Sequence, residues 1–212
     1  MDSSAHHARA WEQLAAELGR PLTPGYFERG FGLKNERIIP EILGWAVDES
    51  EVSRISRRKE QLYREALRAG GLSLLPGVRS FLDALRERGI PCAVGSSSHR
   101  RNIEAALELL DLEGFQAMIT AEDVSAGKPD PEVFLLAARS IAVPPSRCVV
   151  FEDVPAGVEA AHRGGMKAVA VTTTHPERAL SRADVVVHRL DELSPANLEE
   201  LVDAAGEEDR AS

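Results

Sequence analysis

Cys148-Val149-Val150-Phe151-Glu152-Asp153-Val154-Pro155-Ala156-Gly157 decides how this chain is read. Four apolar residues run straight into two adjacent carboxylates, and a helix is expected from Ala156 to Arg163. A short continuous apolar run of this kind marks a strand covered on both faces, as in a parallel sheet. Working outward from it, the same rhythm recurs. Val78 to Arg88 reads as a helix, Pro91 to Gly95 as a strand, Asn102 to Leu110 as a helix and Phe115 to Thr120 as a strand. Pro131 to Ala142 reads as a helix, and Met166 to Thr172 and Asp184 to Val187 as the last strands. Alternation of this kind predicts an α/β fold with a parallel sheet, whose ligands gather at the carboxyl ends of the strands.

Before Pro76 the texture differs. Ala10, Trp11, Leu14, Ala15 and Leu18 recur at helical spacing, with Ser3 or Ser4 as the cap and Gly19 as the stop. A loop with Pro21, Pro24 and Gly25 leads to a short helix holding Ile38, Ile39, Ile42 and Leu43. Asp48 is placed to cap a long helix that carries Val52, Ile55, Leu62 and Leu67 and ends at Gly70-Gly71. The expected organisation is a helical domain over 1–74, a strand-bearing domain over 75–204 and a disordered tail over 205–212.

The 212 residues are 43% hydrophobic and 28% charged, as in ordinary globular proteins. A formal net charge of −9 and the lack of a basic stripe argue against a nucleic-acid surface. No apolar stretch approaches the ~18 residues of a membrane span, and no charged-then-apolar leader opens the chain. A cytoplasmic monomer is the expectation. Cys92 and Cys148, the only cysteines, each sit in an apolar run and read as buried inert thiols.

Three of the turns that follow strands carry chemistry. Ser96-Ser97-Ser98-His99-Arg100 offers hydroxyls and backbone N–H groups at a helix start, where a phosphoryl oxygen binds well, although a plain serine N-cap gives the same pattern. Lys128, in Gly127-Lys128-Pro129-Asp130-Pro131, is a cation that could neutralise a phosphate or orient a carboxylate; alone, a turn lysine is usually just solvated. Glu152 and Asp153 are the hard oxygen ligands that Mg²⁺ requires, while a lone acidic pair after a strand is more often a loop. Hydroxyl, lysine and acidic pair at successive strand ends are a poor fit to chance.

That ordered set, completed by Val150-Phe151-Glu152-Asp153-Val154-Pro155-Ala156-Gly157-Val158-Glu159-Ala160-Ala161, resembles motifs two to four of the haloacid dehalogenase-like hydrolases, and within them the β-phosphoglucomutase-like phosphatase branch. The resemblance reaches to about Leu193 and implies a Rossmann-like core with a helical cap inserted after the first strand. By position it gives Ser96 a phosphoryl contact, Lys128 the charge that holds nucleophile and phosphate together, and Asp153 with Glu152 the Mg²⁺. Ser97, Ser98 and His99 fall where relatives contact substrate or a second phosphate. In the cap, Asp2-Ser3 matches the close of the first motif, and His7 and Trp11 match the His-x-x-x-Trp pattern after it. Lys59 matches a lysine that times proton transfer in the sugar-phosphate mutases. Two blander readings stand beside these: His7 and Trp11 are an i, i+4 pair that could simply pack, and Lys59 lies in the basic run Arg57-Arg58-Lys59.

Two departures from the family pattern matter. The turn Phe31-Gly32-Leu33-Lys34-Asn35-Glu36 has Asn35 where the mutases carry an arginine for a distal phosphate, and an amide replaces neither the charge nor the fork of a guanidinium. This favours a phosphatase for a small phosphorylated metabolite, a sugar phosphate above all, over a mutase. The family's first strand ends in Asp-x-Asp, whose first aspartate attacks phosphorus and whose second serves as acid and base. No such motif is in this sequence. A natural protein beginning about a dozen residues upstream, with Met1 internal, is one expectation, and a non-catalytic phosphometabolite-binding remnant is the other. A sheet without its central strand should leave two unpaired inner edges, and this chain alone should be inactive.

Overall fold

In the computed structural model, which describes residues 3–30 and 32–208 (side chains to 203), strands and helices alternate after a wholly helical start. The helices are α1 (Ser4–Leu18), α2 (Tyr26–Gly30), α3 (Asn35–Arg37), α4 (Glu49–Gly70), α5 (Val78–Glu87), α6 (Arg100–Leu110), α7 (Glu132–Ser140), α8 (Pro155–Arg163), α9 (Glu177–Leu180) and α10 (Pro195–Glu208). The strands are β1 (Cys92–Gly95), β2 (Phe115–Ile119), β3 (Val149–Glu152), β4 (Lys167–Val171) and β5 (Val185–Val187). By contacts the chain divides into two units, residues 1–73 with 97–112 and residues 74–96 with 113–212.

The first unit is all helix among its described residues. Trp11, Leu14 and Ala15 of α1 are buried with Val52, Ile55, Leu62, Tyr63 and Leu67 of α4, a helical spacing that keeps each set on one helix face. Ile38–Ile42 forms a π-helical turn, and Ile38 and Ile39 join the same core. Gly19 ends α1 in the left-handed conformation that glycine adopts without steric cost, and its N–H bonds back to Ala15 and Ala16. Asp48 caps α4 by accepting the Glu51 N–H at 3.0 Å. Ser3 takes the N-cap position of α1, but its side chain makes no capping bond. α6, expected with the strands, groups with the helical unit through Asn102, which is almost wholly buried there.

The second unit carries the strands, every pairing parallel, in the α/β architecture expected. They form two sheets, β1-β2 and β3-β4-β5. β1 therefore ends one sheet and β3 the other. Burial differs between them. Ala168 to Val171 of β4 are all buried: Ala168 and Ala170 pack with α8 residues Val158, Ala160 and Ala161, whose small side chains let helix and sheet approach closely, and Val169 and Val171 pack on the other face with Phe81, Leu85 and Leu198. All four residues of β1 are only half-buried, although none of them is polar.

Two expectations need correcting. Helix α10 runs through Glu208, four residues into the stretch expected to be disordered, and residues 209–212 lie outside the described ones. Cys92 and Cys148 are free thiols as expected, but half-buried rather than buried. Asp2, assigned to the close of the first motif, also lies outside the described residues, as does Phe31.

Candidate active site

Lys128 meets Glu152 directly. β3 delivers Glu152, the turn after β2 delivers Lys128, and the ammonium bonds carboxylate Oε1 in an ion pair whose two side chains are almost fully buried. The turn is built to hold that position. The Glu132 carboxylate accepts the Ser125 N–H at 2.8 Å, the Ser125 hydroxyl at 2.9 Å and the Ala126 N–H at 2.9 Å. Asp130 accepts the Glu132 N–H at 3.0 Å, and the Lys128–Pro129 peptide is cis. The Phe134 ring lies beneath the ammonium, with Lys128 Nζ 4.7 Å from its centroid. Lys128 is not a solvated turn lysine.

The far oxygen of Glu152, Oε2, accepts the N–H groups of Asp153 at 3.1 Å and Val154 at 3.3 Å. Only glycine fits at 157, because a Cβ there would overlap the Glu152 carboxyl group. Asp153 is held from the β4 side. The Thr173 and Thr174 hydroxyls donate to Asp153 Oδ2 at 3.0 and 3.1 Å. Thr174 also donates to the Asp153 carbonyl at 2.9 Å, and His175 Nδ1 lies 3.1 Å from that carbonyl.

Ser96 follows β1, and its N–H donates to the Ile119 carbonyl at 3.0 Å, which fixes it at the carboxyl end of the β1-β2 pair. Phe134 links it to Lys128, since a Cβ on the preceding Gly95 would meet the Phe134 ring at 2.9 Å. Ser96, Lys128, Glu152 and Asp153 all belong to the second unit, whereas Ser97, Ser98 and His99 group with the first. His99, not a serine, takes the N-cap position of α6, and its side chain makes no capping bond.

Within the first unit, His7, Asn35 and Lys59 are joined by a residue outside the expected set, Glu60. Lys59 Nζ donates to Glu60 Oε1 at 2.8 Å and to His7 Nδ1 at 2.7 Å. Asn35 Nδ2 donates to Glu60 Oε1 at 2.6 Å and to the Ser56 hydroxyl at 3.0 Å, and Asn102 Nδ2 donates to Glu60 Oε2. Arg64 in turn bonds Asn102 Oδ1 at 2.9 Å. Lys59 Nζ also lies 5.4 Å from the ring centroids of both Trp11 and Tyr63. Lys59 therefore does not share the solvated face of Arg57 and Arg58. The His7 ring stacks on Tyr63 at 3.9 Å, and Trp11 sets its edge against Trp45 at 5.9 Å.

Charge follows from this wiring. Burial would raise the Glu60 carboxyl, but the Lys59 charge and hydrogen bond outweigh it and the pKa falls to about 2. Burial lowers Lys59 against the opposing pull of Glu60. Burial, with the Lys59 charge next, holds His7 well below the usual imidazole range. An ammonium can only donate, so His7 Nδ1 accepts and its proton sits on Nε2.

Glu60, Thr173 and Thr174 escaped the sequence reading, yet each had a signal. Val52, Ile55, Lys59, Leu62 and Ala66 step by three and four along α4, which places Lys59 on the buried stripe with Glu60 beside it. Thr172-Thr173-Thr174-His175 is a polar run at a strand's carboxyl end, the same criterion that singled out Ser96. Among the described residues no group of three or more His, Cys, Asp or Glu side chains could hold a metal ion. Mg²⁺ asks less: one or two carboxylates, with water and substrate oxygens completing its shell. Asp153, already oriented by two hydroxyls, fits that requirement, and Glu152 stands beside it with Oε1 engaged by Lys128 and Oε2 by two main-chain N–H groups.

The haloacid dehalogenase-like hydrolase family model matches residues 1–171. A chloroplastic 5-amino-6-(5-phospho-D-ribitylamino)uracil phosphatase of Arabidopsis thaliana is 41% identical over 197 residues, covering 92% of this chain and 52% of that protein. A validoxylamine A 7'-phosphate phosphatase of Streptomyces hygroscopicus subsp. limoneus is 43% identical over 118 residues, 55% of each chain. The matched region spans about half the length of these two relatives. Among solved structures, a β-phosphoglucomutase from Clostridium difficile superposes with a TM-score of 0.84 at 25% identity, covering 96% of this chain and 92% of that one. No helix among the described residues is long and apolar enough to cross a membrane.

Proposed function

The chain belongs to the haloacid dehalogenase-like hydrolase family, and from that premise we propose a Mg²⁺-dependent phosphatase for a small phosphorylated metabolite, a sugar or polyol phosphate, working through an aspartyl-phosphate. The observation that carries this reading is the buried Lys128–Glu152 pair beside Asp153 at the carboxyl ends of parallel strands. Lys128 would neutralise a phosphoryl oxygen, and Ser96 would donate to another. Mg²⁺ held by Asp153 and Glu152 would supply Lewis-acid stabilisation of charge on the phosphoryl oxygens. The nucleophile would come from an aspartate on a strand seated between β1 and β3, each at an edge of its sheet. Its carboxylate would attack phosphorus and break the ester P–O bond, the second aspartate of that motif would give the leaving oxygen its proton, and water, returning the proton to that aspartate, would then cleave the acyl phosphate to free phosphate and carboxylate.

Phosphatase is favoured over mutase because the Asn35 amide is already engaged by Ser56 and Glu60 and brings no charge for a second phosphate. The helical unit would serve as the cap, over residues 1–74. The test is hydrolysis of an aryl phosphate with Mg²⁺. The 212-residue chain should show none. An extended protein, the same chain preceded by an apolar strand that ends in Asp-x-Asp, should hydrolyse it, and Asp153→Asn in the extended protein should abolish that activity. Hydrolysis by the 212-residue chain itself would overturn the placement of the nucleophile.

A further inference from the structure

Glu60 is a carboxylate to which three separate segments of the helical unit donate: Asn35 from α3, Lys59 from α4 and Asn102 from α6. Each donor lies beside or within a set already suspected of touching substrate. Lys59 holds His7, Asn35 opens α3, and Asn102 lies three residues after His99 on the segment that begins Ser97-Ser98-His99. The cluster is nearly dry, with side-chain exposures of 4% for Lys59 and 8% for Glu60. A charge pair on neighbouring residues of one helix adds nothing to the fold that apolar residues of similar size could not provide. Its presence in such a place calls for another use.

We propose that Glu60 is a positioning residue: it keeps Lys59 charged and aimed at His7 Nδ1, and through Asn102 it fixes the Ser98–His99 segment against α4, so that the helical unit offers a ligand's hydroxyl or ester oxygens a preset array led by the Nε2–H of a neutral His7. This rests on the phosphatase reading for the identity of the substrate, but the wiring itself does not. The charges facing the cluster are His6 and His7 on α1, Glu36 on α3, where it accepts from Ser56 at 3.3 Å, and Tyr63 and Arg64 on α4. Arg64 bonds Asn102 and not Glu60, so Lys59 is the cation that answers Glu60 directly. Preset donors of this kind lower the reorganisation needed when charge develops on the substrate.

The test is an NMR titration of the 212-residue protein without substrate. Lys59 is followed through its Cε and Nζ resonances, and the histidines through their ring nitrogens. In the wild type, His7 should show the Nε2–H tautomer and keep it across about pH 5.5 to 8. Glu60→Gln, which keeps the shape but removes the charge and one of the two acceptor oxygens, should lower the Lys59 titration midpoint by about 1 pH unit or more, a tenfold shift in its protonation equilibrium. A merely structural role would leave that midpoint in place. Asn102→Ser should move the Ser98 and His99 resonances while leaving Lys59 unchanged, and it serves if Glu60→Gln does not fold. A His7 that titrates near its ordinary midpoint, or a Lys59 midpoint indifferent to Glu60→Gln, would overturn the proposal. Failure of the extended protein to hydrolyse phosphate esters would instead defeat the phosphatase reading and leave these shifts standing.

Discussion

Each unit buries one lysine–glutamate pair, and the two pairs are built differently. Lys128 and Glu152 stand 24 residues apart in sequence and are brought together by a strand end and a turn. Lys59 and Glu60 are neighbours on one helix. Around Glu152 the further donors are main-chain, the N–H groups of Asp153 and Val154. Around Glu60 they are side chains from α3 and α6, each free to be changed by one substitution. The backbone-cradled pair keeps its donors whatever the side chains become. The side-chain-cradled pair depends on every member being present, as buried polar networks do.

That contrast yields the largest expected effect. Glu60→Ala strips the partner from Lys59 and from the amides of Asn35 and Asn102 at once, and should cost about 3–5 kcal/mol, read as a lower urea midpoint. Lys128→Met leaves Glu152 its two backbone N–H groups and should cost about 1–3 kcal/mol. A larger loss from Lys128→Met than from Glu60→Ala would break the distinction between the two cradles.

Acid should sharpen it. The Glu60 carboxyl is depressed from 4.5 to about 2, so the stability it contributes is fully present above about 4.5 and is lost as pH falls toward 2. The loss should be on the order of 3 kcal/mol. His7 is depressed as well, so the unfolded chain takes up a proton below about pH 6.5 before the folded one does, and stability begins to fall there. Urea unfolding at a series of pH values should show both declines. His7→Gln should remove the upper one and keep the lower.

The strands, their parallel sense and the residues at their mouths were legible because short apolar runs alternating with amphipathic helices admit few other arrangements. Lys128, Glu152 and Asp153 are each placed by a local element that the sequence announces: a Gly/Pro turn and a strand that ends in acid. The helical unit was less legible in detail. Its cores were read from spacing, but the basic neighbours Arg57 and Arg58 hid the burial of Lys59, which three- and four-residue steps from Ile55 and Leu62 disclose. Glu60 was invisible for a further reason. Its partners Asn35 and Asn102 come from 25 residues before and 42 after, and no local pattern encodes a meeting at that distance.

The smallest effect tests whether the strand unit has a side-chain cradle of its own. Asp153 Oδ2 accepts hydroxyls from Thr173 and Thr174, and Thr174 also holds the Asp153 carbonyl. Thr173→Val keeps the branching and removes only a donor, so the carboxylate retains Thr174 and should lose about 1 kcal/mol of hydrogen bonding. The change in urea midpoint should be correspondingly slight. If Asp153 binds Mg²⁺, its freed oxygen loses its set direction, and Mg²⁺ affinity measured by calorimetry on the extended protein should weaken by more than the change in stability accounts for. Equal changes in the two measurements would mean that the threonines only complete the fold at that corner. A weaker metal with an unchanged midpoint would mean that the strand unit, like the helical one, uses neutral side chains to aim a charge.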